Sequence, residues 1–456
     1  MFGRKRAWLA LVVLVVWAGV GAATVRADGA SASEIEASRR LQSAVATQAA
    51  TRASLLVVGE GRSCGEAGFV AYRRSDVEYD MVDEWYVASQ LWADAQLLAA
   101  SMGRPPLLAD GARQRAGRLK LAALAYEPSG RCYLDKGFAF LERLWDARLG
   151  GYYPRFHLAQ GQIDRETRYA DDNALTGLAL LAAAETASDA TTRGRYLDAA
   201  RREADFLLRS GLWDATFGGG FWWTTDRGDT DEGKPAQTNA IAALFLGRLH
   251  QATGAGVYRE WTLRTLFWMD TVLYEPSRDL YRWSVHYQDP ARRTGPMVRS
   301  PRFFNYDQGI AIEAQLLAAR LDGEPGRLAR ARELGQALHR DFWSQHGGGY
   351  NLQAGVEQVY TSYASWASLG HLALHDVDGD PRWLDMARAN AAALTAALRR
   401  TDGGYALRHY RCVDRVAPGC ERGQAISVLD HTRDGAAQAW MQQLQTGLAQ
   451  RIAEDD

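Results

Sequence analysis

Two kinds of helical pattern alternate along this chain. Asp198-Ala199-Ala200-Arg201-Arg202-Glu203-Ala204-Asp205-Phe206-Leu207-Leu208 keeps its apolar residues on one stripe with charges opposite, which predicts a helix with one face in solvent. Ala240-Ile241-Ala242-Ala243-Leu244-Phe245-Leu246-Gly247 and Gly309-Ile310-Ala311-Ile312-Glu313-Ala314-Gln315-Leu316-Leu317-Ala318 are apolar nearly all round, which predicts helices enclosed by others. An aromatic and Gly-rich turn punctuates the alternation. It stands at Trp145–Tyr153 and Trp213–Trp223, more weakly at Tyr274–Trp283 and Phe342–Tyr350, then at Thr401–Tyr405, with a degenerate first copy at Gly65–Phe69. Copies recur at roughly 55 to 85 residues, the length of a helical hairpin with its loops. Six pairs of enclosed and amphipathic helices predict an all-α (α/α)6 toroid, a six-hairpin barrel, as one domain over residues 28–456. The Ala-rich stretch 28–61 is expected to supply its first outer helix. An open α-solenoid is the alternative, because sequence does not show ring closure.

Composition adds limits. The chain has 456 residues, 47 % apolar and 23 % charged, with a net charge of −1, so a large core is affordable and no basic footprint for nucleic acid is present. Arg4-Lys5-Arg6, the apolar run from Ala7 to Val20 and Val25-Arg26-Ala27 read as a signal peptide over residues 1–27, with an uncleaved anchor as the competing reading. An exported chain, periplasmic or secreted and without an integral span after cleavage, is therefore expected. Four cysteines suit that compartment. Three connectivities are possible; the short loop between Cys412 and Cys420 favours a local bridge there, which leaves Cys64 with Cys132. No His is spaced with them as a zinc set requires.

The candidate chemistry lies where the enclosed helices begin, since in a closed ring those starts converge on one face. Their polar clusters include Asp83; Asp171 and Asp172; Asn239; Asn305, Asp307 and Gln308; Tyr363 and Trp366; and Asp434. Capping asks for one polar residue per helix, so clusters of two or three suggest a polar cleft. Asp171-Asp172 is the sharpest of them. Two adjacent carboxylates suit acid/base work at a sugar, one protonated to donate and one ionised to attack. The plainer reading is a capping Asp followed by an acidic first-turn residue. Of Trp222 and Trp223, one is expected to stack on sugar and the other to pack under its turn. The histidines are scattered, and one on an apolar helix, such as His371, is expected to be a satisfied core residue.

These stretches resemble glycoside hydrolase family 76, the α-1,6-mannanase-like enzymes. The matching residues are Asp171-Asp172-Asn173-Ala174, Leu197-Asp198-Ala199-Ala200, Trp213-Asp214 to Trp223, Thr238-Asn239-Ala240, and Asn305-Tyr306-Asp307-Gln308-Gly309. The resemblance implies an (α/α)6 fold and a retaining hydrolase of α-1,6-mannan that uses two carboxylates and neither metal nor cofactor. It implies Asp171 as nucleophile and Asp172 as general acid/base. Asp307 would hold a sugar hydroxyl or tune the pair, with a helix cap as its plainer reading; as part of the polar cleft, Asn305, Gln308, Asn239, Trp222, Trp223, Tyr363, Trp366 and Asp83 are expected to bind substrate. Ala170 and Leu175-Thr176 depart from the pattern, where bulky aromatic residues are usual. An oligosaccharide or polysaccharide is the expected partner, and a monomer the expected state. Two other readings stay open: a hydrolase or lyase on uronic-acid polymers, with Arg165, Arg168 and Lys234 reading the anion, and a non-catalytic glycan-binding protein. Sugar 2-epimerases of this fold, which use His bases, are a more distant alternative.

Overall fold

The computed structural model describes residues 31–453 apart from 60, 62, 105, 107–126, 166, 228–232 and 413–425. The expected signal peptide and Cys420, with its expected bridge to Cys412, lie outside the described residues. Cys64 and Cys132 are joined, with their Cα atoms 6.1 Å apart.

Twelve α-helices are present among the described residues: α1 (Ala32–Leu55), α2 (Glu84–Ser101), α3 (Glu127–Leu144), α4 (Ala170–Thr186), α5 (Ala190–Arg209), α6 (Ala236–Thr253), α7 (Gly256–Val272), α8 (Asn305–Asp322), α9 (Pro325–Phe342), α10 (Thr361–Asp378), α11 (Pro381–Leu398) and α12 (Gly435–Ile452). The even-numbered helices form the inner ring. Each packs on the next, and α12 packs back on α2, so the ring closes and the open solenoid is excluded. The first helix, α1, packs on the last, α12, and completes the outer layer as expected of the Ala-rich stretch.

The two patterns sort as their apolar residues dictate. Inner helix α4 is buried almost all round, whereas outer α5 buries one stripe, including Tyr196, Leu197, Ala200, Ala204 and Leu207. Backbones of the inner ring touch in places. A Cβ on Gly370 would lie 2.7 Å from the carbonyl oxygen of Gly309. Only glycine allows α8 and α10 to approach so closely.

The predicted turns follow the outer helices as small hairpins. Trp145 bridges Tyr152, Trp213 bridges Phe221, Trp343 bridges Tyr350 and Arg399 bridges Tyr405. The degenerate first copy lies in a longer hairpin, in which Leu56–Gly59 pairs with Phe69–Tyr72.

The helix starts differ by ring. Outer α1, α5, α9 and α11 are each capped by a side chain, from Ser31, Asp189, Glu324 and Asp380. Inner α2, α4, α6, α8 and α10 have no side-chain cap, and of the inner ring only α12 is capped, by Asp434. The positive ends of the inner helices gather on this face, which favours carboxylates there.

Candidate active site

The start of α4 carries the aspartate pair. Tyr169 occupies the cap position, so Asp171 and Asp172 are the second and third helical residues and the capping reading of the pair fails. Asp171 is nearly buried. The indole N–H of Trp223 donates to its Oδ2 at 3.0 Å, and the Asp172 N–H donates to its Oδ1 at 3.1 Å. Asp172 is partly exposed and pairs with no arginine among the described residues. Burial pushes its carboxyl well above the ordinary range, the Asp171 charge adds to this, Asp83 adds further, and Arg155 pulls the other way. Two chemically identical neighbours thus occupy different surroundings.

Each also faces a different flank. Asp171 lies toward Trp223, and its charge is among those that raise the hydroxyls of Tyr306 and Tyr363, for which burial is the main cause. Those two rings sit 4.8 Å apart, and Tyr306 stacks on Phe304, giving an aromatic wall. Asp172 lies toward α2. There Asp83, mostly buried, is pushed up to about 6 by burial against the pull of Arg74 and Arg155. Asp434 is likewise pushed up to about 6 by burial and accepts the Tyr86 hydroxyl at 3.0 Å. Beneath them Glu84 is fully buried and held by Thr176 at 2.8 Å. Burial raises its carboxyl well above normal, with Asp172 the next cause.

Of the two tryptophans, Trp222 is the one that packs. It is buried, donates to Asp214 at 2.8 Å and stacks on Tyr287, while Trp223 reaches Asp171. Tyr363 stays half-buried on the aromatic wall. Trp366 does not reach the bowl, because it is buried and stacks on Trp440 with centroids 4.2 Å apart.

The carboxamides correct the sequence reading more broadly. Asn239 is fully buried; its Oδ1 accepts the Phe221 N–H at 2.7 Å, and its Nδ2 donates to the carbonyls of Phe221 and Pro235. Gln308 makes the same clasp on Tyr281 and Phe304. Asn173 holds Tyr152 and Tyr169, and Gln438 holds Tyr405 and Asp434. Each sits at the fourth position of an inner helix and ties the preceding turn to the cap carbonyl. These amides spend their hydrogen bonds on the scaffold, so Asn239 and Gln308 are not available to sugar. Asn305 is equally buried and donates to the Tyr350 carbonyl at 3.4 Å. Asp307 is fully buried as well, and burial raises its carboxyl well above normal while the Gln237 and Phe304 N–H groups oppose this. A sugar hydroxyl does not reach it.

The cations proposed for an anionic substrate are also occupied, save one. Arg168 pairs with Asp146 at 2.7 Å, and fully buried Lys234 pairs with Asp214 at 2.8 Å and donates to the Gly219 carbonyl at 2.6 Å. Arg165 is exposed, over the Tyr153 ring. His371 is a core residue as expected. Its Nε2 meets the Gly335 carbonyl at 3.0 Å, and burial lowers it to about 4. Sequence reading missed Arg155, Arg74 and Tyr169, which reach the site from a strand, a loop and a cap position rather than from polar helix starts.

No group of three or more potential metal ligands occurs among the described residues, and none of their helices is long and apolar enough to cross a membrane.

Residues 157–363 match the model of glycosyl hydrolase family 76, which bears out the resemblance read from the sequence. No curated relative matches the chain. A family 76 glycoside hydrolase from a bovine Bacteroides thetaiotaomicron strain is 18 % identical, with TM-score 0.66 over 90 % of this chain and 77 % of that one. The GH76A α-1,6-mannanase of Salegentibacter sp. HEL1_6 is 17 % identical, with TM-score 0.62 over 90 % of this chain and 99 % of that one. A variant of that mannanase with two adjacent aspartates changed to asparagine is described as inactive and in complex with α-1,6-mannotriose. The cellobiose 2-epimerase of Spirochaeta thermophila, 16 % identical with TM-score 0.62 over 92 % of this chain and 98 % of that one, shares the same fold. The fold is therefore common to different chemistries, and the family match together with the aspartate pair supports a glycoside hydrolase.

Proposed function

We propose that this chain, with its family 76 resemblance, hydrolyses α-linked mannan, most naturally at α-1,6 linkages, by a retaining mechanism. Asp171 attacks the anomeric carbon and Asp172 protonates the departing glycosidic oxygen. The observation that carries this reading is the unequal environment of the pair. An indole N–H on Asp171 suits a carboxylate that must attack ionised, and burial beside a like charge suits Asp172 to hold a proton. When the sugar esterifies Asp171, its charge disappears. Asp172, having given its proton to the departing oxygen, is then stabler as a carboxylate, and takes a proton from the water that releases the product.

Adjacent aspartates are also what separates the inactive variant of the Salegentibacter mannanase from its parent, which supports the same roles here. A uronic-acid substrate fits less well, since two of its three candidate cations are tied to carboxylates away from the pair. The leader read at residues 1–27 would place the mature chain, acting as a monomer over residues 28–456, outside the cytoplasm.

The test is incubation of the mature chain with α-1,6-manno-oligosaccharides, following new reducing ends and the anomeric configuration of the first product by NMR. The parent is expected to release α-anomers. Asp172→Asn is expected to lose roughly 10²–10⁴-fold in rate, and Asp171→Asn at least as much. Variants as active as the parent, or an inverted first product, would refute the assignment.

A further inference from the structure

Arg155 stands out among the guanidinium groups of the bowl. It lies on the strand Arg155–His157, directly opposite Asp83 on the strand Met81–Asp83 and opposite Asp164 on its other side. This register places one cation between two carboxylates. The contacts are long, 3.8 Å from Nε to Asp83 Oδ1 and 3.9 Å from Nη1 to Asp164 Oδ2, and the side chain keeps 38 % of its surface exposed. Among the described residues it makes no hydrogen bond. Arg168, by contrast, spends its donors on a carboxylate and a carbonyl at 2.7 and 2.9 Å. A planar fork of five donors held in place but unspent is built to donate to something else.

Its position says to what. Asp171 faces Trp223 and the aromatic wall, whereas Asp172 faces Asp83 and Arg155. In a retaining site the sugar that becomes esterified sits over the nucleophile, and the departing sugar lies beyond the acid. Arg155 is on that departing side. Even with Asp172 protonated, the nearby carboxyl groups Asp83, Asp164 and Asp434 outnumber the two arginines Arg74 and Arg155. An anionic sugar would meet net repulsion there, while a neutral one offers adjacent hydroxyls that a guanidinium fork can span.

We propose that Arg155 is a specificity-determining residue that donates hydrogen bonds to the neutral sugar on the leaving-group side of the scissile bond. This rests on the two-aspartate reading above. The experiment compares the parent, Arg155→Gln and Arg155→Lys on an α-1,6-mannotetraose and on a dinitrophenyl α-mannobioside, whose leaving group has no sugar hydroxyls. Arg155→Gln is expected to lose about 10–100-fold in kcat/KM on the tetraose, mostly as raised KM, and at least tenfold less than that on the aryl glycoside. Lysine keeps the charge but loses the fork, so it is expected to recover only part of the loss. Equal losses on both substrates, or no loss on the tetraose, would overturn the proposal while leaving hydrolysis intact. A parent that cleaves neither substrate would overturn both.

Discussion

Asp83→Asn should make this protein more stable, and only above a definite pH. The Asp83 carboxyl stands at about 6 in the folded chain against an ordinary 3.8, with burial the main cause and the attraction of Arg74 and Arg155 already counted against it. That difference corresponds to about 3 kcal/mol. The native state holds this proton more tightly than the unfolded chain does. Stability therefore falls as pH rises from about 4 to about 6 and stays reduced above that window. Asparagine has the same shape and no charge to strand, and no capping bond is lost, because Asp83 makes none. Glu78 and Asp434 raise the carboxyl further, so their repulsion is relieved too. At pH 8 the variant should gain up to about 3 kcal/mol, a rise of several degrees in Tm for a chain of this size. At pH 4 parent and variant should melt together. Thermal melts across pH 4–8 check this. A variant less stable than the parent at pH 8, or a gap that does not change with pH, would refute the reasoning. A carboxyl retained at such a cost beside the aspartate pair fits a role in the chemistry rather than in folding.

Trp223→Phe keeps a ring against Tyr169 but removes the indole donor from Asp171; a hydrogen bond to a charged group contributes about 1.5–3 kcal/mol, so steady-state kinetics should show a loss of roughly 10–100-fold in kcat/KM with little change in Tm. Asn239→Leu strips the partners from the Phe221 N–H and from the carbonyls of Phe221 and Pro235, and should cost about 3 kcal/mol or more in denaturant unfolding, while the KM of the folded enzyme stays put, as a scaffold role requires.

The fold was legible because two periodicities repeat. Helices apolar all round had to be enclosed, and striped ones had to cover them, so Ala240–Gly247 and Asp198–Leu208 already implied two rings. Closure was not legible, since it depends on α12 meeting both α1 and α2 across the whole chain. At the site, the position of the aspartate pair followed from its helix start. The surplus of polar residues at the other starts was misread. Asn173, Asn239, Gln308 and Gln438 share one register, the fourth residue of an inner helix, and that repeat was the available sign of a structural clasp. Where α10 has Ala364 at that register, Asn390 of the neighbouring outer helix takes over the Tyr350 N–H at 3.1 Å. Arg155 gave no such sign, because strand register and not helix phase brings it to Asp83.

The clasps and the carboxylates are two halves of one arrangement. A clasp takes the cap carbonyl and the turn behind it, while the first N–H of its helix donates to a backbone carbonyl of a neighbouring loop, Ala170 to Trp223, Ala236 to Trp283 and Asn305 to Leu352. Except at α12, where Asp434 caps the helix as well, no side chain caps a clasped helix. The turn is secured from the fourth position, so no polar side chain is needed at the caps of α4, α6 and α8. That freedom is what lets α4 place Asp171 and Asp172 side by side at its positive end, where one polar scaffold supports two carboxyls that repel each other. The same register at α6 and α8 carries clasps without a paired aspartate, so the clasp alone does not make a site. Catalytic capacity comes from what fills the first turn, and in the inner ring α4 alone has two adjacent carboxyls within its first three positions.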